Sequence, residues 1–235
     1  MATARPPWTH PAYLLLTFSL AATIVWGFWP SYFGSLLQGG VRRPWIIHLH
    51  AAVFIGWVIL VVTQALLVTA GALQVHRRVG RAGIVYGVLV LCMGSVISVA
   101  APVMHVRAHT MSAERASLVV LYNLTDILVF AAFFAAAMAL VHRPQWHKRL
   151  ILSATVALSS AAVGRVLPGG TLLYLFVWLL PLFGSMAIDL LHTHRLHAAS
   201  CLSVPVFLIA SFKVQLYALA PTVSDLGQAL IRPFV

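Results

Sequence analysis

The chain has 235 residues, 61% of them hydrophobic and only 8% charged, with a formal net charge of +11. A water-soluble domain carries about 25% charged residues, so the composition excludes a water-exposed globule and makes lipid the solvent. The basic residues lie in short loops between apolar runs, which reads as positive-inside bias and contact with anionic headgroups, not as nucleic-acid binding.

The first apolar run, from Tyr13, resembles a signal peptide behind Arg5. It ends in Trp26-Gly27-Phe28-Trp29-Pro30, an aromatic interface belt with no small-residue cleavage site, and so predicts a retained first helix. At about 20 residues per crossing, seven runs are long enough: 12–29, 45–70, 82–104, 117–141, 149–167, 171–191 and 199–220. The fifth carries Ser153, Thr155, Ser159 and Ser160, whose hydroxyls bond back to the helix or across to a neighbour, so it is expected to face other helices. Gly39-Gly40, Pro44, Pro144 and Pro168-Gly169-Gly170 mark loops, and the tail after Pro221 is too short for another span. Cys92 and Cys201 lie inside apolar runs and form no redox motif. The expected fold is all-α: a single-domain, seven-helix transmembrane bundle with the second to fifth spans as its core.

Arg5, Arg77, Arg78, Arg81, Arg143, Lys148, Arg149 and Arg195 fall on one side of these spans. Arg42, Arg43, Arg107, Arg115, Arg165 and Arg232 fall on the other. The denser first set predicts a cytoplasmic N-terminus and an outer C-terminus. Hairpins on that side turn at similar boxes, His76-Arg77-Arg78-Val79 and His147-Lys148-Arg149-Leu150, with a poorer copy at His194-Arg195-Leu196, a faint internal repeat.

These boxes resemble those of uncharacterised polytopic membrane proteins of bacteria. The shared pattern is a histidine opening one span (His48 or His50), an H-R-x-x-G-R box (His76 to Arg81), and an H-[RK]-x-[ML] box (His147 to Leu150) opening a helix rich in small residues that ends in arginine (Arg165). The likeness covers roughly residues 45–167. It implies a helical bundle in the bacterial inner membrane and no settled chemistry.

Eleven histidines are many for so apolar a chain. On the outer side lie His48, His50, His105 and His109. His50, Trp57 and Gln64 are seven apart and share a face, while Ser95, Ser98, Pro102, His105 and His109 form one polar stripe. Residues two apart on a helix point away from each other, so only one of His48 and His50 faces the bundle, and His50 is expected to. His50 with His105 or His109 can ligate haem b or another transition metal, with Arg165 or Lys213 neutralising propionates. The same histidines can equally anchor helix ends at headgroup level.

Asp126 lies about 13 Å into its helix at 1.5 Å per residue, with Tyr122 and Asn123 on its face. Paired with Lys213 or Arg165 it reads as a proton relay or as a packing ion pair. On the inner side, Ser185, Asp189 and His192 share a face and can join His76, His142 and His147 in a second metal site, or line a solvated basic surface. The functional expectation is electron transfer by a haem or metal protein with a quinone or membrane-complex partner. The alternatives are a proton-coupled small-solute transporter, with His50 as a pH-sensitive gate, and a non-catalytic assembly subunit. No nucleophile–base pair, phosphate loop or H-E-x-x-H motif points to hydrolase or kinase chemistry.

Overall fold

A computed structural model describes residues 11–39, 43–167, 171–212 and 221–235, and the described elements are all helical. Helix α1 runs Ala12–Leu37 and changes pitch at a π turn over Trp29–Phe33. Pro30 explains the change: it lacks an N–H, and its ring crowds the carbonyl four residues back. The turn closes with Gly34 N donating to Trp29 O, where a Cβ on Gly34 would come within 3.0 Å of that carbonyl.

Helices α2 (Trp45–Thr69) and α3 (Leu73–Arg107) form a tight antiparallel hairpin turned by Gly71, whose φ of 78° suits glycine. At 35 residues α3 is about 52 Å long, well beyond a hydrocarbon core of about 30 Å. The basic box His76 to Arg81 therefore occupies its first turns and not a loop. Helix α4 (Ala113–Ala139) starts at Ser112, whose side chain caps Arg115 N. Helix α5 (Pro144–Val163) has proline in its first turn, where no N–H is needed. Helix α6 (Leu172–Thr193) is capped by Thr171 and stopped by His194 in the left-handed conformation. Helix α7 is Ala198–Ser211. The tail folds into helix α8 (Pro221–Ile231) and packs on α4, Ile231 lying buried with Val103, Ala116 and Val120.

Among the described residues five helices, α1, α2, α3, α4 and α6, are long and apolar enough to cross a membrane, two fewer than the seven expected. The chain is thus a multi-pass membrane protein with a lipid-facing exterior, where side chains such as Val85 and Leu128 are about 70% exposed. Helix α7 has 14 described residues, and 213–220 of the expected last span lie outside the described residues. Helix α5 misses for a different reason: its 20 residues include Gln145, His147, Lys148, Arg149 and four hydroxyls. Those polar groups are tolerated because α5 is the central helix, packed against α1, α4, α6 and α7 with twelve residues buried. Gly27 lets α1 close onto it, since a Cβ there would sit 2.2 Å from Ala162 O. Around α5 the core is aromatic: Trp57 meets Phe130 and Phe134 edge-on at 5.3 and 5.6 Å, and Trp178 meets Phe207 edge-on at 5.3 Å.

Candidate functional site

Two stations, one near each end of α5, bring its polar side chains to buried carboxylates. At its N-terminal end Arg149 forms a two-pronged ion pair with Asp189 of α6, through NH2 to Oδ1 and Nε to Oδ2 at 3.3 Å. Both side chains are buried, 5% and 2% exposed as residues. The remaining guanidinium nitrogen donates to Gln145 O and Oε1, each at 2.7 Å. The turn into α7 wraps the carboxylate: His197 N and Ser200 Oγ donate to Asp189 Oδ2 at 3.2 and 3.0 Å. A buried charge with so many partners is the arrangement that low dielectric demands. Close by, Tyr13 OH bonds Ser185 Oγ at 3.0 Å and Lys148 Nζ lies 3.9 Å from the Tyr13 ring centre.

His197 begins α7, its Nδ1 accepting from Ala199 N at 3.1 Å. Burial, and secondarily the Arg149 charge, hold this imidazole below its ordinary value. Both effects favour the neutral ring that the cap needs.

The second station is Asp126 of α4. It is 7% exposed and its Oδ2 accepts from Ser160 Oγ of α5. Tyr122 OH and Tyr174 OH bond each other at 3.1 Å, both within reach of the Asp126 charge. Arg149 and Ser160 are about 16 Å apart along α5. Between them Ser153 bonds Ser203 at 2.8 Å and Thr155 accepts from Trp57 Nε1 at 3.3 Å, and large aromatic side chains fill the same stretch. Trp178 Nε1 donates to Val156 O at 2.9 Å, Phe207 packs on Trp178, and Phe133 stacks on Phe207 at 5.5 Å. Two polar stations separated by an aromatic layer result.

The outer histidines do not converge. His105 turns its Nδ1 to Thr110 Oγ1 at 2.9 Å, and His109 sits in the α3–α4 turn with a φ of 55°. His48 Nδ1 meets Tyr32 OH at 3.0 Å. His50 does face inward, 4.3 Å from Phe54, and its enclosed Nδ1 has no partner among the described residues. Register explains the separation: Phe54 lies against Gly94, which places His50 opposite the turn near Ser98, and His105 is about two turns, roughly 10 Å, further on. The overlong α3 overshoots the start of α2.

The other expected pairings also change. Arg165 lays its guanidinium over Phe28 at 4.3 Å and donates to Ala161 O at 2.7 Å, and among the described residues no ion pair joins it to Asp126. Lys213 lies outside the described residues. On the inner side His76 and His147 are near enough for their charges to interact, but His147 Nδ1 bonds Ala137 O at 2.9 Å and His192 Nδ1 meets Ile188 O at 2.9 Å. Asp189 is taken by Arg149, and His142 is exposed. Among the described residues no three His, Cys, Asp or Glu side chains form a metal-sized group. Arg149 itself was hidden by its setting, a basic box that reads as a headgroup-facing loop. The available signal was arithmetic: with four acids in the chain, a carboxylate inside an apolar helix needs a cation from a helix start.

No protein-family model, no curated protein and no solved structure matches this chain.

Proposed function

We propose that the chain is a proton-coupled transporter of a small solute in the bacterial inner membrane. The observation that supports it most is Asp126: a carboxylate in the middle of a membrane helix, buried and bonded to the Ser160 hydroxyl of the central helix. Carboxylates at such depth mark proton and ion pathways. A second polar station at the other end of α5, with the Trp178–Phe207 layer between, fits a pathway whose two halves open in turn. In this reading α5 and α7 complete seven crossings, the N-terminus is cytoplasmic and the C-terminus is outside. The basic boxes still favour that orientation with Arg149 taken out of the headgroup count.

The test is proton flux into proteoliposomes carrying an internal pH-sensitive dye, driven by an imposed potential. Asp126→Asn keeps shape and an acceptor for Ser160 but cannot ionise. Flux is expected to fall at least tenfold while the helical content and melting temperature stay near wild type. Flux that survives the substitution overturns the proposal.

Electron transfer through haem b or another transition metal, with a quinone or membrane-complex partner, is the second reading. The enclosed Nδ1 of His50, without a hydrogen-bond partner among the described residues, favours it, and the separation of His105 and His109 from His50 counts against paired imidazole ligands. A Soret band in the purified protein, lost in His50→Ala, would support it over transport.

A further inference from the structure

The two ends of α5 neutralise charge differently. At one, Asp189 answers Arg149. At the other, two guanidiniums gather without a carboxylate. Arg165, just past α5, lies over the Phe28 ring at 4.3 Å. Arg43, just before α2, donates to Ser31 O at 2.7 Å and reaches Ser35 Oγ at 3.4 Å. Phe28 and Ser31 are about one turn apart on α1, so both cations flank the π turn, and the charge of Arg43 acts on Arg165. All four acids of the chain are among the described residues: Glu114 in the first turn of α4, Asp126 beside Ser160, Asp189 on Arg149, and Asp225 on α8. Among the described residues neither guanidinium lies within ion-pair distance of any of them. Two uncompensated cations at the edge of hydrocarbon are costly, and an external anion is the natural remedy.

The neighbouring surface narrows the choice of anion. A groove of about 630 Å³ follows α1 from Phe18 past Ala21, Ala22 and Trp26 to Trp29, with Val166 on its far wall. Its lining is almost wholly apolar, with the small alanines making room between larger side chains. It extends about 16 Å along the helix at 1.5 Å per residue. Its upper end is next in the chain to the contacts of both cations: Trp29 follows Phe28 and Val166 follows Arg165, and Pro30, also in the lining, precedes the Ser31 that Arg43 bonds. The exposed rings of Trp26 and Trp29 put that end at headgroup level. A free anion would use the cations and leave the groove idle.

We propose that this is a binding site for an anionic phospholipid, its phosphate held by Arg165 and Arg43 and one acyl chain lying in the α1 groove. Guanidinium forks suit phosphate oxygens, and the groove takes a chain of methylenes. The site is independent of the transport reading and stands or falls separately.

Native mass spectrometry of the full chain released from mild detergent tests it. Phosphatidylglycerol, phosphatidylcholine with the same acyl chains, and inorganic phosphate are titrated in parallel. One phosphatidylglycerol per chain is expected, retained about thirtyfold more tightly than phosphatidylcholine, in line with two surface cations acting on one lipid charge. Arg43→Gln with Arg165→Gln should remove the preference. Ala22→Trp, on the lipid-facing side, should fill the groove and cut phosphatidylglycerol occupancy severalfold with both cations intact. Equal retention of the two lipids by the wild-type chain overturns the proposal and needs no variant. So does full displacement of phosphatidylglycerol by inorganic phosphate, which would mark a site for free anions.

Discussion

Replacing Asp189 by leucine should destabilise the protein more than any other single change at the inner station. The substitution leaves the Arg149 guanidinium buried, 5% exposed, with its charge unanswered and the donors His197 N and Ser200 Oγ facing a methyl group. Because both partners of the pair are enclosed, solvent screening offers little relief, and breaking such a pair costs about 3–5 kcal/mol. For a chain of this length each kcal/mol moves the melting temperature by about 2–4 °C, so a fall of about 10 °C is expected. Converting both members, Arg149→Met with Asp189→Leu, removes the stranded charge and should recover more than half of the loss, since well-packed apolar pairs often match buried ion pairs. The assay is thermal unfolding in detergent followed by tryptophan fluorescence, run on wild type, both single variants and the double variant. A double variant as unstable as the sum of the singles would show that the pair is not coupled, and the reasoning would fail.

Gly27→Ala forces a methyl group into the Ala162 backbone, where the contact would be 2.2 Å, so α1 must move off α5; a loss of about 1–3 kcal/mol is expected, and an unchanged melting temperature would refute this packing. Trp57→Phe gives up the 3.3 Å bond to Thr155 inside the bundle and should cost about 1 kcal/mol, read in the same melts. For His197 the folded value lies below the ordinary histidine value of about 6.5. Its contribution is therefore complete above that value and is lost as pH falls through the folded one, when a proton on Nδ1 ends the bond from Ala199 N. His197→Asn keeps a capping acceptor that does not titrate, so melting temperatures measured from about pH 8 down to pH 5 should decline less steeply in the variant; parallel acid limbs would remove His197 from the account.

The helix ends were legible in the sequence to a degree that the helix partners were not. Ala12, Trp45, Leu172 and Ala198 open their helices within a residue of the expected runs. The expected starts at 82, 117 and 149 instead fall inside helices that begin at Leu73, Ala113 and Pro144, because a polar first turn capped by Ser112 or opened by proline is helical without being apolar. The polarity of α5 was also legible, and so was its consequence, a helix turned toward other helices. Its place at the centre explains why α5 is not among the five helices that are long and apolar enough to cross, among the described residues: a helix enclosed by protein needs no apolar exterior. The basic box His76 to Arg81 reads as a loop by composition, yet it continues α3, because helix geometry tolerates arginine wherever the side chain can reach water or headgroups.

What the sequence determined by itself is therefore the solvent, the helical class and most helix starts, all of which depend on composition and short-range periodicity. Partnership was decided by the tertiary structure. Arg149 meets Asp189 forty residues away and Asp126 meets Ser160 thirty-four residues away. His50 misses His105 although both lie toward the same end of one hairpin. The reason is physical: a spacing pattern gives the face a residue occupies on its own helix, but the depth at which two faces meet depends on how far each helix runs and how closely its small residues let a neighbour approach.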